Sequence, residues 1–98
     1  MLARDLLIYL SVKYDGAWDA IMSAIKKREK FDPEKVEAAA KYADEALSLQ
    51  AKTNYGILTC LDQEYPTWLK ENMPAPFVVY LKDGELTSTP FKGLKKGD

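Results

Sequence analysis

The apolar residues at the start of the chain do not keep to one stripe. Leu2, Leu6, Ile8, Leu10 and Val12 surround most of a helical circumference, which predicts a first helix over about 2–14 lying at the centre of a core. Trp18, Ile21, Met22 and Ile25 then fall at i, i+3, i+4 and i+7, one face of a second helix over 16–30. Asp15 is its expected N-cap, with Gly16 weakening the first turn. A third helix over 33–51 has the clearest start. Asp32 caps it, Pro33 takes the first helical position, and Glu34 adds negative charge to the first turn. Its buried face runs through Val36, Ala39 or Ala40, Ala43 and Leu47, and its many alanines permit a neighbour to approach closely.

After Asn54 and Gly56 the period changes from helical to extended. "YGILTCL" predicts a strand over 57–61, and "FVVYLK" a second over 77–82, apolar without alternation and so buried on both faces. Between them Thr67 caps a short helix over 67–72, which Pro74 and Pro76 prevent from continuing. Asp83-Gly84 marks a turn, and the tail 87–98 is expected to be flexible. The outline is α+β: a three-helix N-terminal unit packed on a small two-stranded β-α-β element, one domain over 1–86. A link of about 15 residues between the strands accommodates a parallel crossover. Two strands alone are marginal in water, so either the helices cover them or another chain does. An exposed strand edge makes a homodimer, paired across a two-fold axis, the expected form of the latter.

Composition narrows the chemistry. The 98 residues are 47% hydrophobic and 30% charged, as in an ordinary soluble domain, with a net charge of -1. No global field recruits nucleic acid or an anionic membrane. The sequence has no histidine and one cysteine, Cys60, which removes imidazole bases, imidazole metal ligands, cysteine-rich zinc sites and internal disulfides. The apolar block Leu6–Leu10 is too short to span a bilayer and reads poorly as a signal peptide, which points to a cytoplasmic protein. No cofactor and no catalytic residue is expected, and the chain reads as non-enzymatic.

The stretch "YGILTCLDQEYPTWLKENMPAPFVVYLKDGEL" resembles the N-terminal region of the DNA-processing protein A family (DprA, also called Smf). The elements that carry the resemblance are the strand Ile57–Leu61, Asp62, Tyr65-Pro66, Leu69, Pro76, the strand from Val78 to Leu81, and Gly84. The helices before them are similar to the family's small helical domain. The resemblance implies bacterial proteins that bind single-stranded DNA and help load the RecA recombinase, by means of a Rossmann-like domain with a glycine-rich, basic anion site. The segment after Gly84 carries no Gly-Ser/Thr-Arg-type motif, so DNA loading and RecA binding have no positions here to be carried onto. What the resemblance implies for this chain is a standalone module acting through protein–protein contacts with a partner of unknown identity, linked to DNA processing or to the biology of a phage or other mobile element.

Individual residues keep a bland reading beside a sharp one. Tyr65 and Pro66 serve as a recognition anchor or, on turn chemistry, as a strand exit with the hydroxyl reaching backbone. Lys26, Lys27, Arg28 and Lys30 are candidate nucleic-acid contacts, helped by Lys92, Lys95 and Lys96, or a solvated helix end. Asp62 and Glu64 suit a cap and a surface site better than a metal, and Cys60 suits a small buried hydrophobe. Trp68, on a short helix beside the sheet, and Tyr80, in the second strand, are the candidate interface residues. A nucleic-acid-binding accessory protein and a shortened remnant without independent function are the alternatives.

Overall fold

The structure, a computed structural model, describes residues 1–97. Helices α1 (Ala3–Lys13), α2 (Trp18–Lys26) and α3 (Pro33–Gln50) precede strand β1 (Tyr55–Thr59), the one-turn helix α4 (Thr67–Lys70), and strands β2 (Val78–Lys82) and β3 (Glu85–Thr87). The fold is α+β, as the hydrophobic pattern implies. Asp32 caps α3 by accepting from the Glu34 N–H at 3.0 Å, with Pro33 in the first turn. Helix α1 is central: Leu7, Ile8, Leu10, Ser11 and Val12 are all buried, against α3 and the sheet on one side and α2 on another.

Helix α2 is shorter than its periodicity suggests, because left-handed residues stand at both ends. Asp15 (φ 51) and Gly16 (φ 76) follow the last turn of α1, and the Gly16 N–H donates to the Ser11 carbonyl at 2.8 Å. That is a Schellman closure of α1, so Asp15 ends one helix instead of capping the next. A Cβ on Gly16 would also run into the Ser88 carbonyl, which passes directly over it. At the other end Arg28 (φ 51) donates to Ile25 at 3.1 Å and Glu29 donates to Ala24 at 3.4 Å, a second closure of the same kind.

The sheet has three strands in the order β1-β2-β3, and both pairings are antiparallel. This corrects the expected two-stranded parallel crossover. A crossover element must travel back along the strand it left, and α4, at four residues, spans only about 6 Å against about 17 Å for β1. Strand β3 arises because Asp83 (φ 50) and Gly84 (φ 85) form a two-residue turn with positive φ at both positions, the geometry that matches strand twist. Lys82 and Glu85 pair directly across it.

The chain itself covers both faces of the sheet. On one face Ile57, Val78 and Tyr80 pack with Leu7, Ile8 and Val12 of α1 and with Ala40, Ala43 and Leu47 of α3. On the other, Leu58 and Val79 lie beneath Tyr65 and Leu69 of the β1–β2 connection. Strand β2 is thus buried on both faces, as its apolar run predicts. The tail is not free: Leu94 is 1% exposed within the helix-face core, and Gln50 Nε2 donates to the Lys92 carbonyl at 2.7 Å. The Lys82 ammonium sits 4.5 Å from the centre of the Phe91 ring. Trp18 stacks on Phe77 with ring centres 5.8 Å apart.

Candidate functional site

Of the family-like motif, Asp62, Tyr65, Pro66, Leu69 and Pro76 lie at the exit of β1 and on the connection that follows, while Gly84 stands in the β2–β3 turn. Strand β1 delivers Thr59 and then turns, with the Asp62 N–H donating to the Thr59 carbonyl at 3.0 Å. The turn brings the Asp62 carboxylate back onto the strand. Its Oδ2 accepts from the Thr59 N–H at 2.7 Å and from the Thr59 hydroxyl at 3.2 Å. Arg4, from the first turn of α1, donates through Nε to both carboxylate oxygens at 3.1 and 3.2 Å and through Nη2 to the Ile57 carbonyl at 2.7 Å. Partial burial raises the Asp62 carboxyl, but the Thr59 N–H and the Arg4 guanidinium outweigh it and hold the group below its ordinary value of 3.8.

These bonds fall on the outer edge of β1. The Cys60 N–H bonds to the Phe77 carbonyl, so Gly56, Leu58 and Cys60 turn their backbone groups towards β2. Tyr55, Ile57 and Thr59 turn theirs outward. Of those outward groups, the Ile57 carbonyl, the Thr59 N–H and the Thr59 carbonyl are all engaged within the chain. Part of the edge expected to support a homodimer is therefore taken up by the chain's own groups.

The rest of the motif is anchored from below. Tyr65 is buried, and its hydroxyl donates to the Pro76 carbonyl at 2.6 Å, closing the two ends of the connection on each other. Burial pushes its phenol above the ordinary value of 10.0. Pro66 is the N-cap of α4, so Thr67 is the first residue of the helix and not its cap. Leu69 is buried beside Val79. Asp62, Tyr65, Pro66, Leu69, Pro76 and Gly84 each make a contact or adopt a backbone conformation that shapes the fold.

The two candidate interface residues part company. Tyr80 is 0% exposed and donates its hydroxyl to Ser11 Oγ at 2.7 Å, so it is core and takes no part in a surface. Burial pushes its phenol up to about 12, against a smaller opposite effect of the Ser11 bond. Trp68 is 59% exposed on α4, while Leu61 and Met73 on the same connection are 60% and 90% exposed. Lys26, Lys27, Arg28 and Lys30 are all exposed, but the end of α2 at Lys26 and the left-handed Arg28 prevent them from forming one helical stripe. Lys26 and Lys27 line a shallow cleft with Trp18.

Of the remaining candidates, Glu64 is exposed, and among the described residues no three Asp, Glu or Cys side chains gather to hold a metal ion. Burial pushes the Cys60 thiol above its ordinary value, which disfavours the nucleophilic thiolate. Sequence patterning missed Arg4 and Ser11, and it read Asp83 as a turn residue without its carboxylate contacts. The Asp83 carboxylate accepts from the N–H groups of Lys52 and Thr53 at 2.8 and 2.7 Å and from the Thr53 hydroxyl at 3.0 Å, tying the α3–β1 loop to the hairpin turn. The Thr53 N–H is the main reason its carboxyl lies below 3.8. Comparison with family models, with curated proteins and with solved structures finds no match to this chain.

Proposed function

We propose that the chain is a non-enzymatic, DprA-like N-terminal module that acts through protein–protein contact on the surface of the β1–β2 connection. The observation that carries this reading is the division of labour within the connection. Tyr65 and Leu69 anchor it to the sheet, while Trp68, the largest side chain on α4, is left in water with Leu61 and Met73 on either side in sequence. Exposed aromatic and Met side chains are the residue types that protein interfaces bury at their centres. The link to DNA processing and recombination rests on the resemblance of this same stretch to the DprA family, and a cytoplasmic location goes with it.

Trp68 is also the probe that tests the reading. In a Trp18→Phe background its emission reports only on α4. Titration with a purified full-length DprA-family protein, and separately with a RecA-type recombinase, is expected to give a saturable blue shift with one of them. Trp68→Ala should weaken that complex about tenfold or more, as for a central interface aromatic. No spectral change with either protein at tens of micromolar would contradict the proposal.

The exposed lysines beside Trp18 favour one second reading, a nucleic-acid-binding accessory protein. It requires binding of single-stranded DNA that weakens steeply with salt and is lost in a Lys26→Gln/Lys27→Gln/Arg28→Gln variant. Absence of binding at low salt would remove it.

A further inference from the structure

Helices α1 and α3 and the returning tail leave a cleft of about 290 Å³ between them. Val12, Ala39, Leu94 and the Tyr9 ring form its floor and walls, and Lys13, Lys95 and Lys96 stand on its rim. An adjoining cleft shares Ala39 and Lys96 and adds Lys35 and Lys41, with Glu45 as its one carboxylate. Five lysines therefore face one acidic side chain, on a chain that has 14 basic and 15 acidic residues. Even mixing would place about as many of each sign there, so the positive excess is local. Among the described residues the ion pairs are Met1–Glu37 and Arg4–Asp62, and neither involves any of the five lysines. Glu29 acts on Lys13 only from beyond ion-pair distance. The Lys13 ammonium is instead held among the rings of Tyr9, Tyr14 and Phe31, 5.8, 5.3 and 5.8 Å from their centres. An ammonium placed by rings keeps its charge and its N–H donors for an outside anion.

We propose that this cleft binds a small organic anion with an apolar body, a medium-chain monocarboxylate. Its chain lies on Val12, Ala39 and Leu94, and its carboxylate meets Lys13, Lys95 and Lys96. Small-molecule sites are mostly apolar concavities of about 300–1,000 Å³ with a few polar groups that orient the ligand. This cleft stands at the small end of that range, which suits a chain of about eight carbons. An apolar cleft alone would take a neutral hydrophobe, and lysines alone would take any phosphate. Together they select a molecule that has both parts. The site is built by α1, α3 and the tail, and it shares no residue with the Trp68 surface.

The test is a methyl-detected NMR titration of the chain with hexanoate, octanoate and decanoate, and with octanol as the uncharged control. Octanoate is expected to give saturable shifts at the Val12, Ala39 and Leu94 methyls, half-complete below about 1 mM. Each added pair of methylenes should tighten binding severalfold until the cleft is full. Octanol should bind about tenfold more weakly than octanoate. A Lys13→Gln/Lys95→Gln/Lys96→Gln variant, verified as folded by circular dichroism, should lose about tenfold in octanoate affinity and keep its response to octanol. Lys95→Gln/Lys96→Gln, which leaves the Lys13–ring contacts in place, should lose about threefold. Equal affinity for octanol and octanoate, unchanged octanoate binding in the folded variants, or no saturable shift by about 5 mM would overturn the proposal. So would shifts centred on Leu61, Trp68 and Met73. Single-stranded oligothymidylate that moves the same methyls at lower concentration than octanoate would also overturn it, by marking the lysines as a phosphate-backbone contact. Loss of a partner contact at Trp68 would leave these methyl shifts unchanged, so the two proposals stand or fall separately.

Discussion

Two tyrosine hydroxyls lock the two faces of the sheet, and they do so on different scales. Tyr80 sits on the helix face and bonds to Ser11, a partner far back in the chain, in a wholly buried setting. Tyr65 sits on the opposite face and bonds to Pro76, a near neighbour in sequence, in a partly buried one. The first bond ties the sheet to α1 and is embedded in the main core. The second ties a connection to itself and closes a thin cover made of Tyr65 and Leu69. The chemistry is the same, but one bond is tertiary structure and the other is loop closure. The helix face should therefore hold the global stability, and the connection face should be free to serve a surface.

The sharpest break in that comparison is a cavity on the helix face. Leu47→Ala removes a side chain with no exposure from the main cluster and should cost about 2–5 kcal/mol in a urea titration. Next comes Tyr80→Phe, which leaves the buried Ser11 hydroxyl without its donor and should cost about 1–3 kcal/mol. Adding Ser11→Ala removes both partners, so the double variant should be less destabilised than the sum of the single ones. Tyr65→Phe should cost only about 1 kcal/mol, because water can reach the Pro76 carbonyl it releases. Equal losses for the two Tyr→Phe variants would erase the distinction between the faces.

The smallest effect concerns acid. Asp62 and Asp83 are both held below 3.8 in the folded chain, so both bind protons more weakly there than when unfolded. Their contribution is complete at pH values above the unfolded carboxylate range and is lost as pH falls through the folded values, below about pH 4. The thermal midpoint should fall over that window, and Asp62→Asn should make the fall shallower while lowering the midpoint at pH 6.

Local chemistry made much of this legible in advance. Asp32-Pro33 announces α3 because a cap and a first-turn proline act on their own neighbours. The crowded apolar circumference of α1 and the unbroken apolar run of β2 likewise report burial on more than one side. What escaped was decided at long range. The direction of β2 depends on how the connection packs, and loop length alone permits either sense. Asp83-Gly84 carried the hairpin signal, yet Glu85–Thr87 is too short and too polar to read as a strand without it. Leu94 looks like tail until Gln50 and the helix-face core receive it. Arg4 and Asp62 are far apart in sequence, and nothing local marks either as the partner of the other.

The central claim is that the chain encloses its own sheet, with helices on one face, the connection on the other and β3 on the far edge of β2. Amide exchange at Val79 and Tyr80 tests it most directly, because Val79 pairs into β1 and Tyr80 into β3. Both amides should exchange only through global unfolding, at rates that do not change with protein concentration. Exchange that slows as the concentration rises would show that another copy completes the sheet, and would contradict the account.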